Sequence, residues 1–331
     1  MVEDLAACAQ AAFGWPGDIQ VSAGPRGALG QIWRIHTGAA CYAVKEIFED
    51  PPTEAAIQVE LDFARRASQT GVLVPASHPD RLGRYLVTTP DGRWLRCYDW
   101  VELRPIAHSA DTPSRLGALL AQLHKCAPAG TVEPSGGEPP DPWYDSVPAP
   151  SDWAQLASAL VGSDASWAPE VADRLPALSQ LGAAVRPVDQ ARLVICHRDL
   201  HWENVHADPA GTLVVLDWDD MGPAEPGQEL ARALFDWCCD DARTDIDAVR
   251  AMLESYLRAG GPGRVTAPDD FSMLLATRLN FLLSQARLAL DPRTESGHRE
   301  WAETEIDGML HIMPTPDQLA EVLAVARDCF R

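Results

Sequence analysis

The residues that decide the reading are Val194-Ile195-Cys196-His197-Arg198-Asp199-Leu200-His201-Trp202-Glu203-Asn204-Val205, with Val214-Val215-Leu216-Asp217-Trp218-Asp219-Asp220 downstream. Each stretch holds a short apolar run of strand character that leads into polar residues. Buried strands of this kind deliver their polar ends to one place. Transfer of a phosphoryl group from a nucleotide needs such a set: hard oxygen ligands for a divalent ion, an acceptor for the proton of the attacking hydroxyl, and a cation on the phosphates. Asp217 and Asn204 fit the metal role. Asp199, just off the strand end and before Asn204, fits the proton-accepting role.

The cation is found upstream in Tyr42-Ala43-Val44-Lys45-Glu46-Ile47, a stretch of strand character. Of the 27 basic residues only Lys45 and Lys125 are lysines, so the chain uses arginine wherever a generic cation will do. Lys45 is therefore assigned to the nucleotide phosphates. A glutamate on the next helix would hold it, and Glu60 is chosen over Glu54 because it lies deeper in that helix.

The remaining pattern frames these residues. A short helix is expected over 3–13, ended by Gly14 and Pro16, and strands over Asp18–Ser22, Gln31–His36 and Cys41–Phe48. The turn Ala23-Gly24-Pro25-Arg26-Gly27-Ala28-Leu29-Gly30 separates the first two. An amphipathic helix follows from Thr53, its candidate N-cap, to about Gln69. Two further strands, Tyr85–Thr89 and Trp94–Trp100, meet through Asp91-Gly92, a hairpin signal. From Thr112 the pattern is mainly helical, with Leu116, Leu119, Leu120 and Leu123 on one face. A Pro/Gly-rich stretch over 127–150 reads as a surface loop.

The composition of the 331 residues bounds the class. A 46% apolar share is that of an ordinary globular protein of about two domains, without an apolar run long enough to span a bilayer. The acidic start Met1-Val2-Glu3-Asp4 lacks a secretory pattern, and the eight scattered cysteines read as reduced thiols, so the expected location is cytoplasmic. A net charge of −21 repels nucleic acid and anionic membranes and favours a cationic ligand.

The chain resembles the aminoglycoside phosphotransferase and choline-kinase branch of the protein-kinase-like fold. The resemblance rests on Ala43-Val44-Lys45, the helix with Glu60, His197-Arg198-Asp199-Leu200-His201-Trp202-Glu203-Asn204 and Leu216-Asp217-Trp218-Asp219. It implies an α+β, bilobal fold: a small N-terminal antiparallel sheet with one helix over 1–98, and a larger, mostly helical lobe over 99–331 that selects the substrate. It implies ATP, or GTP, with Mg2+ in the cleft, the adenine bonded to backbone near Asp99–Val101. The expected activity is phosphorylation of a small-molecule hydroxyl, foremost on an antibiotic of aminoglycoside, cationic-peptide or nucleoside type. A metabolic kinase for choline, homoserine or a sugar is the alternative, and a nucleotide-binding pseudokinase the alternative of another class.

Departures and open readings remain. Gly24, Gly27 and Gly30 occupy the phosphate-covering loop without a full G-x-G-x-x-G, and no G-x-x-x-x-G-K-[ST] occurs, which excludes an ordinary P-loop site. No Ala-Pro-Glu follows Asp217, so a protein substrate is not expected. Asp219 and Asp220 read either as contacts to substrate or a second magnesium, or as solvated carboxylates. Trp202 reads either as a stacking platform for substrate or as core. His197 and His201 are four apart, yet lack the Glu of a helical zinc motif, and His197 is read as a brace of the loop.

Overall fold

The computed structural model describes residues 2–27, 30–48, 50–107, 109–127, 141–241 and 243–331. Helix α1 (Val2–Phe13) precedes strands β1 (Gln20–Arg26), β2 (Gly30–His36) and β3 (Cys41–Ile47). Helix α2 (Glu54–Gln69) leads to β4 (Ser77–His78), β5 (Val87–Thr88) and β6 (Trp94–Asp99). Helices α3 (Thr112–Cys126), α4 (Pro142–Asp145), α5 (Pro150–Leu160) and α6 (Ala168–Gly182) follow. Short strands come next: β7 (Val194–Cys196), β8 (Val205–Ala207), β9 (Leu213–Val215) and β10 (Gly222–Ala224). The rest is α7 (Pro226–Cys238), β11 (Cys239–Asp240), β12 (Arg243–Thr244), α8 (Ile246–Arg258), α9 (Ser272–Leu290), α10 (Ser296–Ile312) and α11 (Pro316–Cys329).

The chain groups into two compact units, Met1–Ile106 with Glu203–Asp220, and Ala107–Trp202 with Met221–Arg331. This grouping differs from the expected boundary at 98/99 in two respects: the first unit runs on to Ile106, and Glu203–Asp220 joins it. Backbone pairing explains it. The Val215 amide donates to the Leu73 carbonyl at 2.9 Å, and Arg104 and Ala207 exchange bonds of 2.8 and 2.9 Å, tying the β8–β9 hairpin to the first unit.

In the first unit the sheet runs β1-β2-β3-β6-β4, with β5 also on β6, and all neighbours are antiparallel. Its core joins Leu5 and Ala9 of α1 to Ile35, Val44, Val87, Leu95 and Cys97. Thr53 caps α2 as the sequence indicates, its hydroxyl accepting from the Ala56 amide at 3.1 Å. Strand β1 runs through Arg26, with a register shift between Ala23 and Arg26, so the glycine turn is shorter than expected. Gly30 sits where β2 crosses close to β3. A Cβ there would lie 2.5 Å from the Glu46 carbonyl oxygen, so only glycine fits.

The second unit is helical. Leu116, Leu119, Leu120 and Leu123 of α3 are buried as their spacing predicts, each contributing about 1.5–3 kcal/mol. Helix α9 is apolar around most of its circumference, which marks it as a central helix. Of the expected 127–150 loop, residues 128–140 lie outside the described residues, and the remainder contains α4 and the start of α5. No helix among the described residues is long and apolar enough to cross a membrane.

Candidate active site

In the first unit β3 carries Lys45 and the exit of β9 carries Asp217 and Asp219. The Lys45 ammonium donates to Asp217 Oδ1 and to Asp219 Oδ2, each at 2.7 Å. Burial works against the charged ammonium, but the two carboxylates outweigh it and hold the Lys45 pKa above its ordinary value. Local structure sets up this convergence. Trp218 is buried, stacks edge-on against Phe63 of α2 at 5.2 Å, and donates its indole N–H to the Val215 carbonyl. With that ring anchored, the flanking Asp217 and Asp219 side chains both reach Lys45. Asp217 takes a left-handed backbone (φ 49°), which Asp tolerates better than most residues.

Asn204 is buried, and its carbonyl accepts from the Leu216 amide at 2.8 Å, which sets the Asn204 main chain beside the residue preceding Asp217. Asp217, with 46% of its side chain exposed, and Asn204 offer carboxylate and amide oxygens, the donor chemistry a Mg2+ ion takes. Asp220 follows, half-buried.

Glu60 does not hold Lys45. Its carboxylate lies against Arg96 of β6 in a two-bond fork, 2.6 and 2.9 Å, while Lys45 bonds Asp217 and Asp219. Burial raises the Glu60 pKa and the arginine opposes that rise. The physical reason for the exchange is register. Arg96 is the cross-strand neighbour of Lys45, so α2 meets two cations and Glu60 takes the fully buried one. Nothing in the sequence pattern of Trp94–Trp100 marks Arg96 for this.

The remaining residues assigned to the nucleotide lie on the same unit. Gly24 is inside β1 and its carbonyl accepts from Gln31. The Gly27 amide donates to the Gly30 carbonyl at 3.0 Å, and Ala28 and Leu29 between them lie outside the described residues. At the end of β6 the Asp99 amide is taken by the Ala76 carbonyl (2.9 Å) and the Trp100 amide by that of Cys41 (3.2 Å). Of the 99–101 amides, none of the described hydrogen bonds engages that of Val101.

The second unit holds Asp199. Its carboxylate accepts from Arg232 at 2.5 Å and lies 3.2 Å from His201 Nε2. Burial alone would raise its pKa, but Arg232, then His201, hold it well below the usual carboxylate range. The residue before it, Arg198, takes a left-handed backbone (φ 66°) and is clamped by two residues one turn apart on α7. Glu229 accepts from its amide and Arg232 donates to its carbonyl. The Arg198 guanidinium lies over the Tyr144 ring, 3.6 Å from its centroid. Gly222 leaves room for it, since a Cβ there would come within 2.6 Å of that guanidinium.

Behind the clamp, Glu229 binds His124 Nε2 at 2.6 Å, and His124 Nδ1 meets the Tyr256 hydroxyl at 2.6 Å. Tyr256 in turn accepts from the Gly263 amide at 2.7 Å. His124, Cys196 and Glu229 bring their ligand atoms within 4.8 Å, but both His124 nitrogens are engaged in this chain, which makes it a brace. His197 is fully buried, and Trp202 is 47% exposed with its ring edge-on to His201 at 5.5 Å. Sequence reasoning missed Arg96, Glu229, Arg232, His124 and Tyr144. A buried glutamate three residues before an arginine on one helix face was the only available signal.

A model of the family described as the phosphotransferase enzyme family matches residues 20–269. Among proteins of curated function none matches this sequence significantly. Among solved structures the chain is similar to a spectinomycin phosphotransferase in complex with ADP and spectinomycin, at 13% identity, TM-score 0.62, covering 98% of each chain. It is similar to an amicoumacin kinase in complex with AMP-PNP, Ca2+ and Ami, at 20% identity and TM-score 0.58, covering 94% of this chain and 95% of that one. A microcompartment-associated aminopropanol kinase matches at 18% identity, TM-score 0.58, over 94% and 95%. These likenesses show the fold.

Proposed function

Because the chain belongs to the phosphotransferase enzyme family, as a kinase whose acceptor is a hydroxyl, we propose that ATP is its donor and that its substrate is a hydroxyl-bearing antibiotic, cationic for preference. The observation that carries the site reading is the Lys45–Asp217 pair, an ammonium and a half-exposed carboxylate 2.7 Å apart. In this reading Lys45 binds the nucleotide phosphates, and Asp217 with Asn204 would hold Mg2+. When bound, that ion would neutralise phosphate charge. Asp199 accepts a hydrogen bond from the acceptor hydroxyl and orients it. With Arg232 and His201 against it, Asp199 is a weak base, so its chief work is orientation, with the proton taken late in the transfer. Val101 offers the amide that an adenine would use.

The net charge of −21 supports a cationic acceptor, and two structural neighbours are kinases of antibiotics. The aminopropanol kinase among the neighbours supports the second reading, a metabolic amino-alcohol kinase. A screen decides between them: ADP release with the purified protein, Mg2+ and ATP against aminoglycosides, spectinomycin, cationic peptide and nucleoside antibiotics, choline, ethanolamine, homoserine and sugars. Mass spectrometry then looks for one added phosphate. Phosphorylation of an antibiotic in clear preference to the metabolites is expected; preference for an amino alcohol would overturn the antibiotic assignment.

A further inference from the structure

Two cations sit side by side on the first unit's sheet. Lys45 and Arg96 are direct cross-strand neighbours, so both side chains leave the same face, an arrangement that repels unless carboxylates intervene. Three do. Glu60 takes Arg96, Asp217 takes Lys45, and Asp219 bridges the two, with Oδ2 at 2.7 Å from Lys45 and Oδ1 at 3.0 Å from Arg96. Arg96 has no side-chain exposure, and a guanidinium keeps its charge in any protein environment.

We propose that Arg96 is a positioning residue for phosphoryl transfer. It pins Asp219, which then aims the lysine at Asp217. The shared carboxylate has a second consequence. When Lys45 turns from Asp219 to the phosphates of a nucleotide, Asp219 keeps the Arg96 bond and is not left without a cation. The planar guanidinium makes a two-nitrogen fork on Glu60 and reaches Asp219 as well, a geometry that the single nitrogen of a lysine at 96 does not reproduce. This inference rests on the reading of Lys45 and Asp217 as the nucleotide site.

The test measures the affinity of Mg·ATP by calorimetry alongside the urea midpoint of the same proteins. Arg96→Met alone orphans Glu60 and is expected to lose stability. The informative variant is Glu60→Gln with Arg96→Met, which removes both buried charges together and is expected to recover most of that stability. Its Mg·ATP affinity is expected to stay weakened by about tenfold or more, because Asp219 still lacks its anchor. Recovery of wild-type affinity together with stability would overturn the proposal and leave Arg96 a mere counter-ion for Glu60. Arg96→Lys gives an independent check: affinity weakened by about threefold or more is expected, and wild-type affinity would overturn the role of the fork. Lys45→Ala and Asp217→Asn in the same assay separate the two claims. If those bind Mg·ATP as the wild type does, the site reading itself fails, whatever Arg96 does.

Discussion

Replacing Glu229 by alanine tests the clamp on the loop that carries Asp199. The carboxylate is 2% exposed and serves two partners, His124 at 2.6 Å and the amide of the left-handed Arg198. Removing one member of a buried, hydrogen-bonded pair costs about 3–5 kcal/mol, and here it also leaves a backbone amide unsatisfied. Against a total stability of about 5–15 kcal/mol that is a large share. Glu229→Gln keeps an oxygen for the Arg198 amide and a polar group for His124, so its cost is about 1–2 kcal/mol. Urea unfolding followed by tryptophan fluorescence measures both, with ADP release at low urea reporting whether the loop still works. A Glu229→Ala protein within about 1 kcal/mol of wild type would refute the reasoning, because an orphaned buried imidazole and amide cannot be that cheap.

Two further predictions concern Asp199 and its cations. Burial opposes charge on His201 but Asp199 outweighs it, so the His201 pKa stands above its ordinary value. A raised folded pKa means that the contribution is complete below the unfolded value of 6.5 and fades as pH rises through the folded one. The wild-type melting temperature should therefore fall more between pH 6 and pH 9 than that of His201→Asn; equal slopes would refute the pair. Arg232→Met removes the strongest cation from Asp199, whose pKa must then rise. The acid limb of the turnover–pH profile is expected to move to higher pH and turnover to drop by about tenfold or more, with Arg232→Lys in between; an unmoved limb would show that Arg232 does not set the charge of Asp199.

Legibility followed sequence distance. The strand setting of Lys45, and the places of Asp199, Asn204 and Asp217 beside short strands, were readable because each sits in a short stretch of apolar strand pattern with a polar end. The buried face of α3 and the Thr53 cap were readable for the same reason, since period and cap chemistry are local. Glu60 lies on α2 as expected, but its partner depends on the register of β3 against β6, and register is a property of paired strands that one stretch does not carry. Arg232 and Glu229 lie more than 30 residues from the loop they clamp, and in a chain where nearly every cation is arginine, Arg232 carried no mark of its own. Strand β4, two residues long, was too short to show any period.

The most direct measurement is turnover by Asp199→Ala, with Mg·ATP affinity determined on the same protein. If Asp199 orients the acceptor hydroxyl while Lys45 and Asp217 serve the nucleotide, phosphate transfer falls by about 10²–10⁴-fold and nucleotide affinity stays close to wild type. Near-normal phosphate transfer by that variant would contradict the account.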